Sequence, residues 1–118
     1  MLKLAIIVLA DTETHADSGR VVNALETAHE FKEAGDDVRL IFDGAGTKWV
    51  AALANPEHRL HKMFMALQES VTGACAFCAR AFHVEDQIQA AGFQLLSENQ
   101  GHPSIRPLMG DGFQAITF

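Results

Sequence analysis

No cluster of basic residues occurs in this 118-residue chain: its 9 Lys and Arg are outnumbered by 15 Asp and Glu, for a net charge of −6. Such a charge disfavours nucleic acid and anionic membrane surfaces as partners. No apolar run approaches the roughly 20 residues of a membrane span, and there are no repeats or low-complexity tracts. Met1 to Ala10 has one lysine and then an apolar run, but the run is short and passes into DTETHADSG without a small-x-small cleavage site, so it reads as a strand rather than a signal peptide. Only two cysteines are present, Cys75 and Cys78. With no export signal they suggest a reducing, cytoplasmic setting and a reactive or metal-binding role rather than a structural disulfide.

Two further motifs are incomplete. DGAGTK, Asp43 to Lys48, follows an apolar run as a phosphate-binding loop would, yet it lacks the third glycine of GxGxxG and the order of a Walker loop. It reads instead as a tight loop whose bare backbone comes close to something at the mouth of a sheet. His58 and His61 could join the cysteines around a metal, but no second CxxC or HxxxH completes a tetrahedral set. No metal and no cofactor are therefore expected.

What is present is ordinary globular material, 48% hydrophobic and 20% charged, in a chain long enough for one cored domain over residues 1–118. Leu4 to Leu9 is a continuous apolar run of the kind buried on both faces of a parallel sheet. A helix is expected from about Gly19 to Ala34, with Val21, Val22, Leu25, Ala28 and Phe31 on one face and Gly35 as its stop. Val38 to Phe42 is a second strand, and Thr47 to Ala54 a short helix with Trp49, Val50 and Leu53 inward. Asn55 and Pro56 suit the N-cap and first position of a helix reaching about Ser70. Val71 to Ala74 is a third strand, Val84 to Ala91 a helix, Phe93 to Leu96 a fourth strand, Pro103 to Met109 a short helix and Phe113 to Phe118 a fifth strand. Alternating strands and helices predict an α/β fold with a parallel sheet.

The stretch VTGACAFCARAFHV, Val71 to Val84, carries the chemistry. It predicts a strand-to-helix turn that places Cys75 near the free N–H groups of a helix, where a thiol loses its proton more easily. Cys75 is the candidate nucleophile, expected to be more accessible and more acidic than Cys78. Cys78, three residues on, is the candidate helper that could resolve a persulfide or mixed disulfide. In a parallel sheet, ligands sit outside the carboxyl ends of the strands. That edge should bring Asp11, Thr12, Asp43 and Gly44 toward Cys75 as substrate-binding residues. It should also bring His102, the one side chain there able to move a proton near neutral pH.

The segments LKLAIIVLADTET, GRVVNALETAHEFKEAG, DVRLIFDGAG, GACAFCARAFHV and GHPSIRPLMGDGFQAITF resemble the DsrE/DsrF-like family of small sulfur-relay proteins over nearly the whole chain. The resemblance implies a three-layer α/β/α fold with a five-stranded parallel sheet of order 4-3-2-1-5 and association as trimers or hexamers. It also implies that Cys75 accepts sulfane sulfur as a persulfide and passes it from a donor protein to an acceptor. Cys78 looks like a feature of a subgroup with a C-x-x-C-A signature, and His83 stands where the family commonly has glycine before the next helix. Two other functions fit the residues: a small-molecule binding or assembly module with packed cysteines, and a dithiol redox protein cycling Cys75 and Cys78.

Overall fold

A computed structural model describes all 118 residues. The Leu/Ile/Val runs form β1 (Lys3–Val8) and β2 (Asp37–Phe42), paired in parallel from Lys3 against Asp37 to Val8 against Phe42. With β3 (Val71–Cys75), β4 (Leu95–Leu96) and β5 (Gln114–Thr117) they make one all-parallel sheet of order β4-β3-β2-β1-β5. The expected α/β class and strand order are both present.

The layers follow from the handedness of the crossovers. Steps from β1 to β2, β3 and β4 all run one way across the sheet, so right-handed connections place their helices on one face. These are α1 (His15–Glu33), α2 (Thr47–Ala54), α3 (His61–Ala66), α4 (Ala76–Ala81) and α5 (Glu85–Ala90). Their inward side chains, among them Val21, Leu25, Val50, Leu53, Phe64 and Ile88, pack on Leu4, Ile6, Val8, Leu40 and Phe42 in the main core. The return from β4 to β5 crosses the opposite face with α6 (Arg106–Gly110), where Ile105 and Leu108 cover Ile7, Ile41 and Leu96.

Several boundaries differ from the sequence reading: α6 starts at Arg106 rather than Pro103, β4 starts at Leu95 rather than Phe93, and others differ for visible local reasons. Helix α1 begins at His15, four residues before Gly19, because Thr14 caps it: the Thr14 hydroxyl accepts the Asp17 N–H while the Asp17 carboxylate accepts the Thr14 N–H. The helix expected from Pro56 starts only at His61. Between them Asn55 Oδ1 accepts the Glu57 N–H, as the expected cap would, but His58 Nδ1 accepts the Leu60 N–H, a donor that a helix from Pro56 would have used. Helix α4 stops before α5 because His83, at φ 59°, adopts the left-handed conformation that glycine favours, where the resemblance places glycine.

Strand β3 is shaped for its position. Its pairing with β2 slips by one residue, Leu40 opposite Val71 but Ile41 opposite Gly73, leaving Thr72 as a bulge. At Gly73, φ 152°, an added Cβ would lie 2.6 Å from the Gln94 carbonyl oxygen and 2.9 Å from Leu96 Cγ. Only a bare backbone lets β3 run this close to the segment entering β4.

Candidate functional site

Because the sheet is parallel, the loops after β2, β3 and β4 leave it at one edge, side by side. Each supplies a side chain to a single cluster. Asp43, directly after β2, caps the following turn by accepting the Gly44 N–H at 2.9 Å. Cys75 ends β3 and caps α4, its sulfur accepting the Cys78 N–H at 3.3 Å. Cys78 lies one helical turn on and donates its S–H to Asp43 Oδ1 at 3.5 Å. His102 comes from the loop after β4, on a two-residue turn in which Asn99 and His102 exchange backbone hydrogen bonds while Gln100 and Gly101 have φ of 52° and 89°. Its Nδ1 stands 3.4 Å from Cys75 Sγ. The Phe77 ring lies against the imidazole with centroids 4.8 Å apart, and the Phe77 N–H bonds the Gly101 carbonyl, so α4 and the histidine turn are held together.

The donor atoms of Asp43, Cys75, Cys78 and His102 all lie within 4.8 Å of one another. Both cysteines are free thiols. Three of the four groups become anionic on losing a proton, and Asp43 has no Lys or Arg within ion-pairing distance.

The relation between the two thiols corrects the sequence reading. Cys75 is 0% exposed whereas Cys78 is partly open to solvent, so Cys78 is the accessible one. Nor is Cys75 acidified: burial pushes its thiol up to about 12, and the neighbouring Cys78 thiol and Asp43 carboxylate push the same way. The Cys78 N–H is the one contact acting in the opposite direction. The sequence placed Cys75 correctly at a strand-to-helix junction but could not show that the loops from β2 and β4 close over it.

Gly44 flanks the cluster through its N–H on Asp43. Asp11 and Thr12 do not join it. The Asp11 carboxylate pairs with Lys48 and accepts the Thr12 N–H, contacts that hold it below the usual carboxylate range, and its carbonyl accepts the Trp49 indole N–H at 2.9 Å. The strand order explains the separation: Asp11 follows β1, two strands from β3, and each strand spacing is about 4.8 Å. His58 and His61 are also elsewhere, His58 edge-on to Trp49 and His61 Nδ1 on the Leu53 carbonyl. The glycine-rich loop meets its expected close approach: a Cβ on Gly46 would lie 2.0 Å from the Val8 carbonyl oxygen.

The chain is similar to an uncharacterized protein of Methanocaldococcus jannaschii, 28% identical over 96 residues that make up 81% of this chain and 78% of that protein. No family model and no solved structure matches the chain. No helix is long and apolar enough to cross a membrane.

Proposed function

We propose that the protein is a sulfur relay of the DsrE/DsrF-like kind, holding sulfane sulfur on the Cys75/Cys78 pair. The observation that carries this reading is that each thiol lies beside a group that can take its proton: Cys78 donates to Asp43 Oδ1, and Cys75 Sγ is 3.4 Å from His102 Nδ1, which accepts in the tautomer protonated at Nε2. A donor persulfide, R–S–SH, meets Cys78 because that thiol is open to solvent. Asp43 takes the Cys78 proton and the thiolate attacks the outer sulfur, so that an S–S bond forms to Cys78 as the donor's S–S bond breaks and R–S⁻ leaves. Cys75 then gives its proton to His102 and attacks the same outer sulfur, which moves inward as Cys75–S–SH and returns Cys78 to a thiolate. The buried persulfide is shielded from water until an acceptor thiol draws the sulfur out through Cys78. No net oxidation occurs in either step. The partners in this reading are a donor and an acceptor protein. Exposed Phe77 on α4, exposed Phe82 at its C-cap and the exposed strand β5 support association into a homo-oligomer.

The proximity of the two sulfurs also favours a dithiol reading, in which an oxidant joins Cys75 and Cys78. Mass spectrometry after incubation with a protein persulfide separates the two. A gain of one sulfur atom, kept in Cys75→Ser on Cys78 and lost in Cys78→Ser, supports the relay. A loss of two hydrogens with no sulfur gained would replace it with redox cycling.

A further inference from the structure

We propose that the same four side chains form a zinc site: Cys75 and Cys78 through sulfur, His102 through Nδ1 and Asp43 through Oδ1, around one Zn²⁺. The sequence shows only half of this donor set, because the other two ligands lie 32 residues before Cys75 and 27 after it and meet only through the β4-β3-β2 strand order.

Tetrahedral zinc with bonds of about 2.3 Å to sulfur and about 2.0 to 2.2 Å to nitrogen and oxygen places its donor atoms about 3.4 to 3.8 Å apart. Here Cys75 Sγ to His102 Nδ1 is 3.4 Å and Cys78 Sγ to Asp43 Oδ1 is 3.5 Å. Every other donor pair is within 4.8 Å. The four donors thus need at most about 1.4 Å of contraction, within reach of side-chain rotation.

Chemistry points to the same ion. Two sulfurs, an imidazole and one carboxylate form a mixed set suited to borderline-soft Zn²⁺, and not to Mg²⁺ or Ca²⁺, which take oxygen ligands. Three ligands that become anionic face one another with no Lys or Arg paired to Asp43, and a divalent cation supplies the missing positive charge. The supports around the ligands are in place: the Cys78 N–H on Cys75 Sγ, the Gly44 N–H on Asp43 Oδ1, and the Phe77 ring that orients the imidazole. Cys78, Asp43 and His102 are each partly exposed, which gives the ion a way in.

Binding releases the two thiol protons and forms two Zn–S bonds with no change in oxidation state. All four positions are then filled by protein, so the ion leaves no open coordination site and masks both thiols. This assignment does not rest on sulfur transfer, since it requires only the geometry of the four donors.

Co²⁺ is the probe, added to the reduced, metal-stripped protein. The expected result is one Co²⁺ per chain with thiolate-to-metal charge-transfer absorption and tetrahedral d–d bands, displaced by one equivalent of Zn²⁺. Bound Zn²⁺ should also slow alkylation of Cys78 by at least about tenfold. Cys78→Ser should lower the charge-transfer absorption per bound Co²⁺ by about half or more, and His102→Ala and Asp43→Asn should each weaken binding by about 10-fold or more, with circular dichroism confirming that the variants fold. His61→Ala, outside the cluster, should bind as the parent does. Absence of the charge-transfer band, octahedral d–d bands, or unchanged Co²⁺ affinity in folded His102→Ala would each overturn the assignment, whatever the persulfide experiment gives.

Discussion

Replacing Gly46 by alanine should be among the most damaging single-methyl additions in this protein. The new Cβ would lie 2.0 Å from the Val8 carbonyl oxygen and 2.7 Å from its carbon, distances that backbone atoms cannot accept. That oxygen also accepts the Asp43 N–H at 2.9 Å, and the Gly46 N–H bonds the Asp43 carbonyl at 2.9 Å. Moving the loop away from β1 therefore removes a backbone hydrogen bond and displaces Asp43 at once. Overpacking costs about 1 to 3 kcal/mol and the lost hydrogen bond about 1 kcal/mol more, for a total of roughly 2 to 4 kcal/mol. For a chain of this length the melting temperature should fall by roughly 10 °C or more. Thermal denaturation followed by circular dichroism measures this, with Gly19→Ala as the control. Gly19 lies within α1, has nothing near its Cβ position and should gain up to about 1 kcal/mol. If Gly46→Ala melts within about 3 °C of the parent, the close approach of the Asp43 loop to β1 does not hold in solution.

Native iodoacetamide labelling should modify Cys78 at least about tenfold faster than Cys75, read by peptide mass spectrometry, and equal rates would contradict the burial of Cys75. Burial, with the charge of Arg59 and then His61, holds the His58 imidazole below its ordinary range, and its Nδ1 must stay unprotonated to accept the Leu60 N–H. The unfolded chain then binds a proton first, so this contribution to stability is complete above the ordinary histidine range and is lost as pH falls through the lowered value. Urea unfolding between pH 8 and 5 should show this slope flattened in His58→Asn. His83→Gly should stabilise the protein by about 1 kcal/mol in the same assay, by relieving the left-handed backbone at φ 59°; a destabilised variant would mean that the side chain contributes more than its strain. Phe64→Ala should cost about 3 to 5 kcal/mol, since the fully buried ring packs against Phe42 and Phe93.

The strands most legible in the sequence were those buried on both faces. The Leu4 to Leu9 and Val38 to Phe42 runs read best as interior strands, and observed β1 and β2 differ from them by a residue at the ends. Less legible were stretches where a side chain competes with the backbone. His58 takes up the Leu60 N–H, which periodicity alone assigns to a helix. The candidate site was half visible for a different reason. CxxC is a local pattern, and placing Asp43 and His102 at the carboxyl edge needed only the alternation of strands and helices. Which edge residues meet depends on strand order, and in the sequence the order came from family resemblance rather than from periodicity. Treating that edge as one crevice drew in Asp11 and Thr12, which the order β4-β3-β2-β1-β5 leaves beside Lys48. The accessibility of the thiols was reversed because a turn capped by Cys75 looks open until the loops that roof it are known.

Strand β5 pairs only with β1, joining Leu4 to Gln114 across about 110 residues of chain. Every other neighbouring pair of strands is joined by a single crossover, so the four strands from β1 to β4 can assemble in the order in which a ribosome delivers them. Until β5 arrives, the outer edge of β1 is an open row of amide and carbonyl groups beside an apolar strand, the part of a nascent chain that invites pairing with another copy. Closing so long a loop is entropically slow, and β5, exposed along its whole length, repays it with little burial. The edge strand should therefore be last to dock and first to leave, its amides exchanging with solvent well before those of β1 and β2 while the rest of the sheet stays intact.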